Sequence, residues 1–204
     1  EEVFGLLDCA FEAGYTVSRR ALILDEGDNL TSLEIPAGSL GIATLCSITL
    51  DGMLLKRGIP VLTSFAGLAE VREKQPGEFI DLIAYAGSSL DPMKVFMGRR
   101  VSSAANAIFE GTGRVLANVR EVPVAAAERA CELLEDFQAA GFGGLIKIGG
   151  PAEPILGCPV ASGKIGIAFY AGVNGVVAAG ELGAKIETAP ISMLVDYSRM
   201  SLLK

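Results

Sequence analysis

Apolar positions along this chain switch between two periods, and each switch marks an element. Val3, Leu6, Leu7 and Ala10 recur at helical spacing, so residues 1–13 read as a helix that Gly14 ends. Arg20 to Asp25 reads as a strand and Gly27-Asp28-Asn29 as a turn. Gly41 to Leu50 is a continuous, partly β-branched apolar run, which predicts a buried strand. Asp51 then serves as the N-cap of a short helix through Arg57, with Gly58 closing it. Ile59 to Val71 and Phe79 to Ala86 predict two further strands, with Lys74 to Glu78 (KQPGE) as the turn between them. The order is α-β-β-α-β-β.

Asp91-Pro92 is a capping residue followed by Pro at the first helical position, and predicts one or two helices up to Gly111. A strand follows from Arg114 to Val119, then a helix rich in Ala and Glu from Pro123 to Ala140. The first order then returns: strands at 143–149 and 164–171, a helix at 174–182, strands at 184–188 and 191–197. The residues echo it too. Leu6–Tyr15 (LLDCAFEAGY) matches Leu133–Phe142 (LLEDFQAAGF), and Gly41-Ile42-Ala43 matches Gly166-Ile167-Ala168. Asp51-Gly52 pairs with Asn174-Gly175, and Leu82–Leu90 with Leu194–Leu202. The fold expected is α/β, with internally duplicated α-β-β-α-β-β lobes packed as one pseudo-symmetric domain with mixed sheets. Lobe one spans 1–90, a bridging segment 91–123 and lobe two 124–204. A seam between such lobes is a natural ligand cleft.

Composition narrows the function. A chain of 204 residues, half of them hydrophobic, can bury a sizeable core. Its longest uncharged runs, Ile35–Leu50 and Ile165–Gly180, are 16 residues each and fall short of a membrane span. The opening Glu1-Glu2-Val3 has no secretory character and no Met, so a cytoplasmic piece of a longer polypeptide is expected. A net charge of −7 argues against a nucleic-acid footprint on this piece. Four cysteines without CxxC spacing, and no His, make a metal site unexpected and predict reduced, mostly buried thiols. The lack of His also removes Ser/His/Asp and Cys/His catalysis, and no phosphate-binding glycine motif is present.

What remains is polar residues at the ends of apolar strands. Cys46, Ser47 and Thr49 precede the Asp51 helix and would place hydroxyls and N–H donors at an anion-binding helix start. Alternatively Ser47 and Thr49 line the wet side of a half-buried strand, and Cys46 is a packed core thiol. Gly172 and Asn174 stand at the equivalent turn of the second copy, after Tyr170. Lys56 and Arg57 are either ligand cations or a solvated helix end. Tyr85, Ser88 and Ser89 flank Gly87 ahead of the Asp91 cap, as ligand contacts or as a capping loop. Arg120 either pairs locally with Glu121 or offers a guanidinium to a ligand carboxylate.

At these residues a likeness enters. The blocks GIATLCSITLDGMLLKRGIPV, YAGSSLDPMKVFM and GRVLANVREVP, and the closing GKIGIAFYAGVNGVVAAGELGAKIETAPISMLVDY, resemble the effector-binding regulatory domain of the NrpR family. That family comprises archaeal repressors of nitrogen-assimilation genes, and the likeness runs from about Leu40 to Tyr197. The resemblance implies a homodimeric domain with no cofactor, for which 2-oxoglutarate is the inducer that weakens operator binding. It implies DNA contact only through a winged-helix domain that this chain lacks, and in some members a PII-type signal protein as a further partner. Gly175 follows Asn174 where the resemblance leads one to expect Pro. Two other readings stand beside it: an enzyme acting on a small anionic metabolite through Cys46 or Lys56, and a ligand-free dimerisation or partner-docking domain.

Overall fold

In a computed structural model of the protein, the structure describes residues 2–30, 33–188 and 194–202. The opening helix α1 (Glu2–Glu12) leads into strand β1 (Arg20–Leu24), a short hairpin of β2 (Asn29–Leu30) and β3 (Leu33–Glu34), then β4 (Gly41–Thr44) and helix α2 (Ile48–Lys56). A long hairpin follows, β5 (Leu62–Arg72) with β6 (Gln75–Ala84), then α3 (Pro92–Arg99), α4 (Ala104–Glu110) and β7 (Gly113–Pro123). A single 3₁₀ turn at Val124–Ala126 opens α5 (Ala127–Ala139), before β8 (Leu145–Pro151), β9 (Lys164–Tyr170), α6 (Asn174–Glu181) and the short β10 (Ser201–Leu202).

The chain is therefore a mixed α/β fold, and every strand pairing among the described residues is antiparallel. A five-stranded sheet in the order β6-β5-β7-β9-β8 forms the body, and a three-stranded sheet β10-β1-β4 lies beside it. Strands from both halves and from the segment between them share the larger sheet. Helix packing is reciprocal: α1 of the first half lies on α6 of the second, and α2 of the first on α5 of the second. Gly175 is why α1 and α6 approach so closely, since a Cβ there would lie 2.8 Å from Leu7 Cδ2 and 3.1 Å from Leu7 Cα. Pro would meet the same obstacle.

The largest apolar cluster joins Leu50 and Leu54 of α2 and Leu133, Leu134 and Phe137 of α5 to Val122, Ile165, Ile167 and Phe169 on the sheet. Burying a Leu, Ile or Phe side chain stabilises by roughly 1.5–3 kcal/mol each, so this face anchors both helices. On that face of β7 Asn118 and Arg120 stand in sequence between Leu116 and Val122, and are drawn into the same covered layer.

Several expectations are corrected. The strand expected over Gly41–Leu50 stops at Thr44, and α2 already begins at Ile48. Tertiary contacts override the β-branched composition here, because Ser47 and Asp51 are both turned inward onto Arg120. Asp51 is accordingly not the N-cap but a buried residue within the helix. The turn expected at Lys74–Glu78 is instead Glu73-Lys74, with φ of 51° and 63°, and the strand resumes at Gln75. That left-handed pair normally wants Asn or Gly; here Lys74 N–H donates to the Gly111 carbonyl at 2.7 Å, so a distant partner holds the turn. Residues 184–188 form no strand. Of the strand expected at 191–197, residues 191–193 lie outside the described residues, and 194–197 are not in a strand. The thiols are not mostly buried: Cys9 and Cys46 are exposed and Cys131 half-buried, with Cys158 alone in the core. Burial pushes the Cys158 thiol up to about 11, with Glu121 adding to the effect.

Candidate functional site: a buried arginine under a helix start

The two strand-to-helix turns, β4 to α2 and β9 to α6, touch. Gly172 lies so close to Leu45 that a Cβ would overlap the Leu45 carbonyl oxygen, and its own carbonyl accepts from the Thr16 hydroxyl at 3.0 Å. Thr44 Oγ1 donates to the same carbonyl at 3.5 Å. Gly172 thus builds the junction. Two residues on, Asn174 opens α6 as a buried latch. Its Oδ1 accepts the Leu116 N–H at 2.9 Å, while Nδ2 donates to the carbonyls of Leu116 and Tyr15 at 2.9 Å each. All of its polar atoms are spent on backbone from β7 and the segment after α1.

On the α2 side the chemistry is ionic. Arg120 sits in the middle of β7, only 1% exposed, instead of after the strand as the sequence suggested. Its Nε donates to Asp51 Oδ1, its Nη1 to Asn118 Oδ1, and its Nη2 to Ser47 Oγ at 3.0 Å. Asn118 Nδ2 donates to the same Ser47 hydroxyl at 3.1 Å, and Thr63 Oγ1 donates to Asp51 Oδ2 at 3.1 Å. The guanidinium carbon lies 5.7 Å from the centre of the Phe169 ring, a cation–π distance. A buried guanidinium carries a large desolvation cost and persists only when its donors are occupied. Ser47 adopts helical φ and ψ and makes no cap bond with its side chain, leaving its hydroxyl free for Arg120.

Tyr85 borders this cluster. Burial raises its phenol, with Asp91, Cys46 and Asp51 adding to the shift and Arg120 opposing it, to about 12. It is a neutral hydroxyl donor at physiological pH. Cys46 stands exposed beside Ser47, with Sγ 3.9 Å from Ser47 Oγ, so the core-thiol reading is corrected.

Of the residues picked from sequence, Cys46, Ser47, Tyr85 and Arg120 therefore converge. Thr49 is half-buried on α2, and its N–H donates to the Cys46 carbonyl at 3.0 Å. Ser88 and Ser89 occupy the exposed turn between Tyr85 and Asp91, where Ser88 Oγ donates to the Leu90 carbonyl at 2.6 Å. Lys56 and Arg57 lie exposed at the far end of α2, and the Arg57 carbonyl accepts from Arg129 of α5. Glu121 does not pair with Arg120; it points to the opposite face and meets Lys164 Nζ at 3.0 Å. Sequence reasoning missed Asp51 as an ion-pair partner, and missed Asn118 and Thr63 altogether. The one available signal was the two-residue spacing of Asn118 and Arg120 in an apolar strand, which puts both on one face.

A groove of 380 Å³ lined by Cys9, Glu12, Tyr15, Lys74 and Phe109 among others carries none of the residues picked from sequence. Among the described residues no group of His, Cys, Asp and Glu is placed to hold a metal ion, and no helix is long and apolar enough to cross a membrane.

Similarity to known proteins places this chain among transcription-regulator domains. It is 42% identical over 200 residues to the global nitrogen regulator NrpRI of Methanosarcina mazei, covering 98% of this chain and 61% of the relative. Against the global nitrogen regulator NrpR of Methanocaldococcus jannaschii it is 29% identical, covering the whole chain and 33% of the relative. The chain thus spans less than two thirds of the length of these relatives. A solved structure, a nitrogen repressor-like protein from Methanococcus jannaschii, superposes with a TM-score of 0.80 at 30% identity, over 100% of this chain and 82% of that one. The family model "NrpR regulatory domains NRD1 and 2" matches residues 1–202. The chain belongs to the NrpR regulatory-domain family.

Proposed function

We propose that this regulatory domain senses 2-oxoglutarate and binds it at the Arg120 cluster. The observation that carries the reading is a buried guanidinium under the start of α2, held there by Asp51 and the Ser47 hydroxyl and bordered by Tyr85. A dicarboxylate needs a charge-assisted pair for one carboxylate, and Arg offers it with defined geometry. Neutral donors such as Tyr85 suit the remaining oxygens without adding an ionisable competitor.

The domain acts as a homodimer and reaches operator DNA through a winged-helix domain elsewhere in the full repressor, with a PII-type signal protein as a further partner. One feature supports association between copies: Ile48 and Leu55, two turns apart on one face of α2, are 61% and 59% exposed. Inducer binding shifts the population between two arrangements of the domain and, by linkage, lowers operator affinity. Regulation is favoured over the enzyme reading at Cys46, since with no His in the chain that exposed thiol has no imidazole base beside it.

Calorimetric titration with 2-oxoglutarate, with glutamate and succinate as controls, tests the reading. Saturable binding selective for the keto acid, lost in Arg120→Lys, is expected. Absence of heat and of any thermal shift at millimolar ligand would sink it.

A further inference from the structure

Asp51 is 8% exposed and carried on α2, yet both of its oxygens are held by the sheet. Oδ1 takes the Arg120 Nε–H, and Oδ2 takes the Thr63 hydroxyl at 3.1 Å. Thr63 and Arg120 are cross-strand partners in the β5–β7 register, so the two donors stand side by side. Together they form a socket shaped for one carboxylate, filled by the helix that covers it.

Resting on the reading of the Arg120 cluster as the inducer site, we propose that Asp51 is the protein's own carboxylate in the inducer's place, and that binding exchanges one for the other. Removing Asp51 alone would strand a buried guanidinium, so α2 cannot leave until another carboxylate arrives. Exchange keeps Arg120 paired in both arrangements, which holds the two close in free energy and makes α2 a two-state element. Ser47 and Asp51 ride on the same helix start and leave Arg120 together. Exposed Ile48 and Leu55 stand three and four residues from Asp51, at the rim of the buried face of α2, so displacement of the helix moves them on the surface that a neighbouring copy would meet.

Titration of the parent chain, Asp51→Asn, Asp51→Ser and Asp51→Glu with 2-oxoglutarate decides the matter, with melting temperature followed alongside. The two neutral variants remove the competing charge. Each is expected to bind at least about ten-fold tighter than the parent, to melt lower without ligand, and to gain more from it. Asp51→Glu keeps the charge and stays within a few-fold of the parent. A variant unfolded alone but folded by 2-oxoglutarate, and not by succinate, reports the same exchange. Binding by the parent with equal or weaker binding by both neutral variants overturns the exchange and leaves the inducer site standing. No binding by any of the four overturns the site itself, and the exchange with it.

Discussion

The β4–α2 and β9–α6 junctions begin alike, each following a Gly-Ile-Ala strand, and end in opposite chemistry. At α6 the polar residue is Asn174, neutral, fully buried and bonded only to backbone. At α2 the polar residues are Ser47 and Asp51, bonded to side chains and to a charge. Backbone groups cannot be mutated away, so a side chain that serves them is a permanent latch. Side-chain partners can be exchanged, which leaves the α2 junction able to change partners while the α6 junction holds the fold. The reciprocal packing of α1 on α6 and α2 on α5 follows the internal repeat of the sequence, with a latch at one junction and a charged cluster at the other.

The sharpest way to break this comparison is at the ion pair. Arg120→Met alone leaves Asp51 buried without its cation and is expected to cost about 3–5 kcal/mol. Adding Asp51→Leu should recover most of that stability while 2-oxoglutarate binding stays lost. Chemical denaturation beside calorimetry separates the two effects, and a double variant as unstable as the single would refute the partner-exchange view.

At the other junction no such rescue exists. Asn174→Ala strands the N–H of Leu116 in the core and takes a donor from the Tyr15 carbonyl, while the Leu116 carbonyl keeps the Ala171 N–H; it should cost about 2 kcal/mol, whether or not ligand is present. A ligand-dependent loss, measured by thermal shift, would mean that α6 belongs to the site as well.

The smallest effect lies on the far face of β7. Burial by itself would raise the Glu121 carboxyl, but the Ala161 N–H and the Lys164 ammonium outweigh it and hold it below its ordinary value of 4.5. Its stabilisation is complete above that value and is lost as pH falls through the depressed one. Glu121→Gln should cost about 1 kcal/mol at neutral pH. The difference from the parent should fade in acid, as denaturation curves across pH would reveal, with ligand affinity unchanged throughout.

Local pattern carried much of the fold. The periodicity of Val3, Leu6, Leu7 and Ala10 found α1, the Asp91-Pro92 start found α3, and the apolar runs found β7 and β9. Asp91 Oδ1 accepts the Met93 N–H at 3.0 Å, the bond expected of a capping residue. The α2 start was misread because its cause is not local: Ser47 and Asp51 face inward to meet an arginine 73 and 69 residues away.

The sequence by itself determined the helices and strands with clear periods, the mixed α/β class, the likeness to NrpR regulatory domains, and the choice of Cys46, Ser47, Tyr85 and Arg120 as candidates. Periodicity and capping act between near neighbours, so they can be read along the chain. Only the tertiary structure decided that Arg120 is buried, that Asp51 and not Glu121 is its counter-ion, that Cys46 is exposed, and that Asn174 spends itself on backbone 58 and 159 residues away. A buried charge takes whichever partner the packed sheet and helix bring within reach, and that choice exists only once the chain has folded.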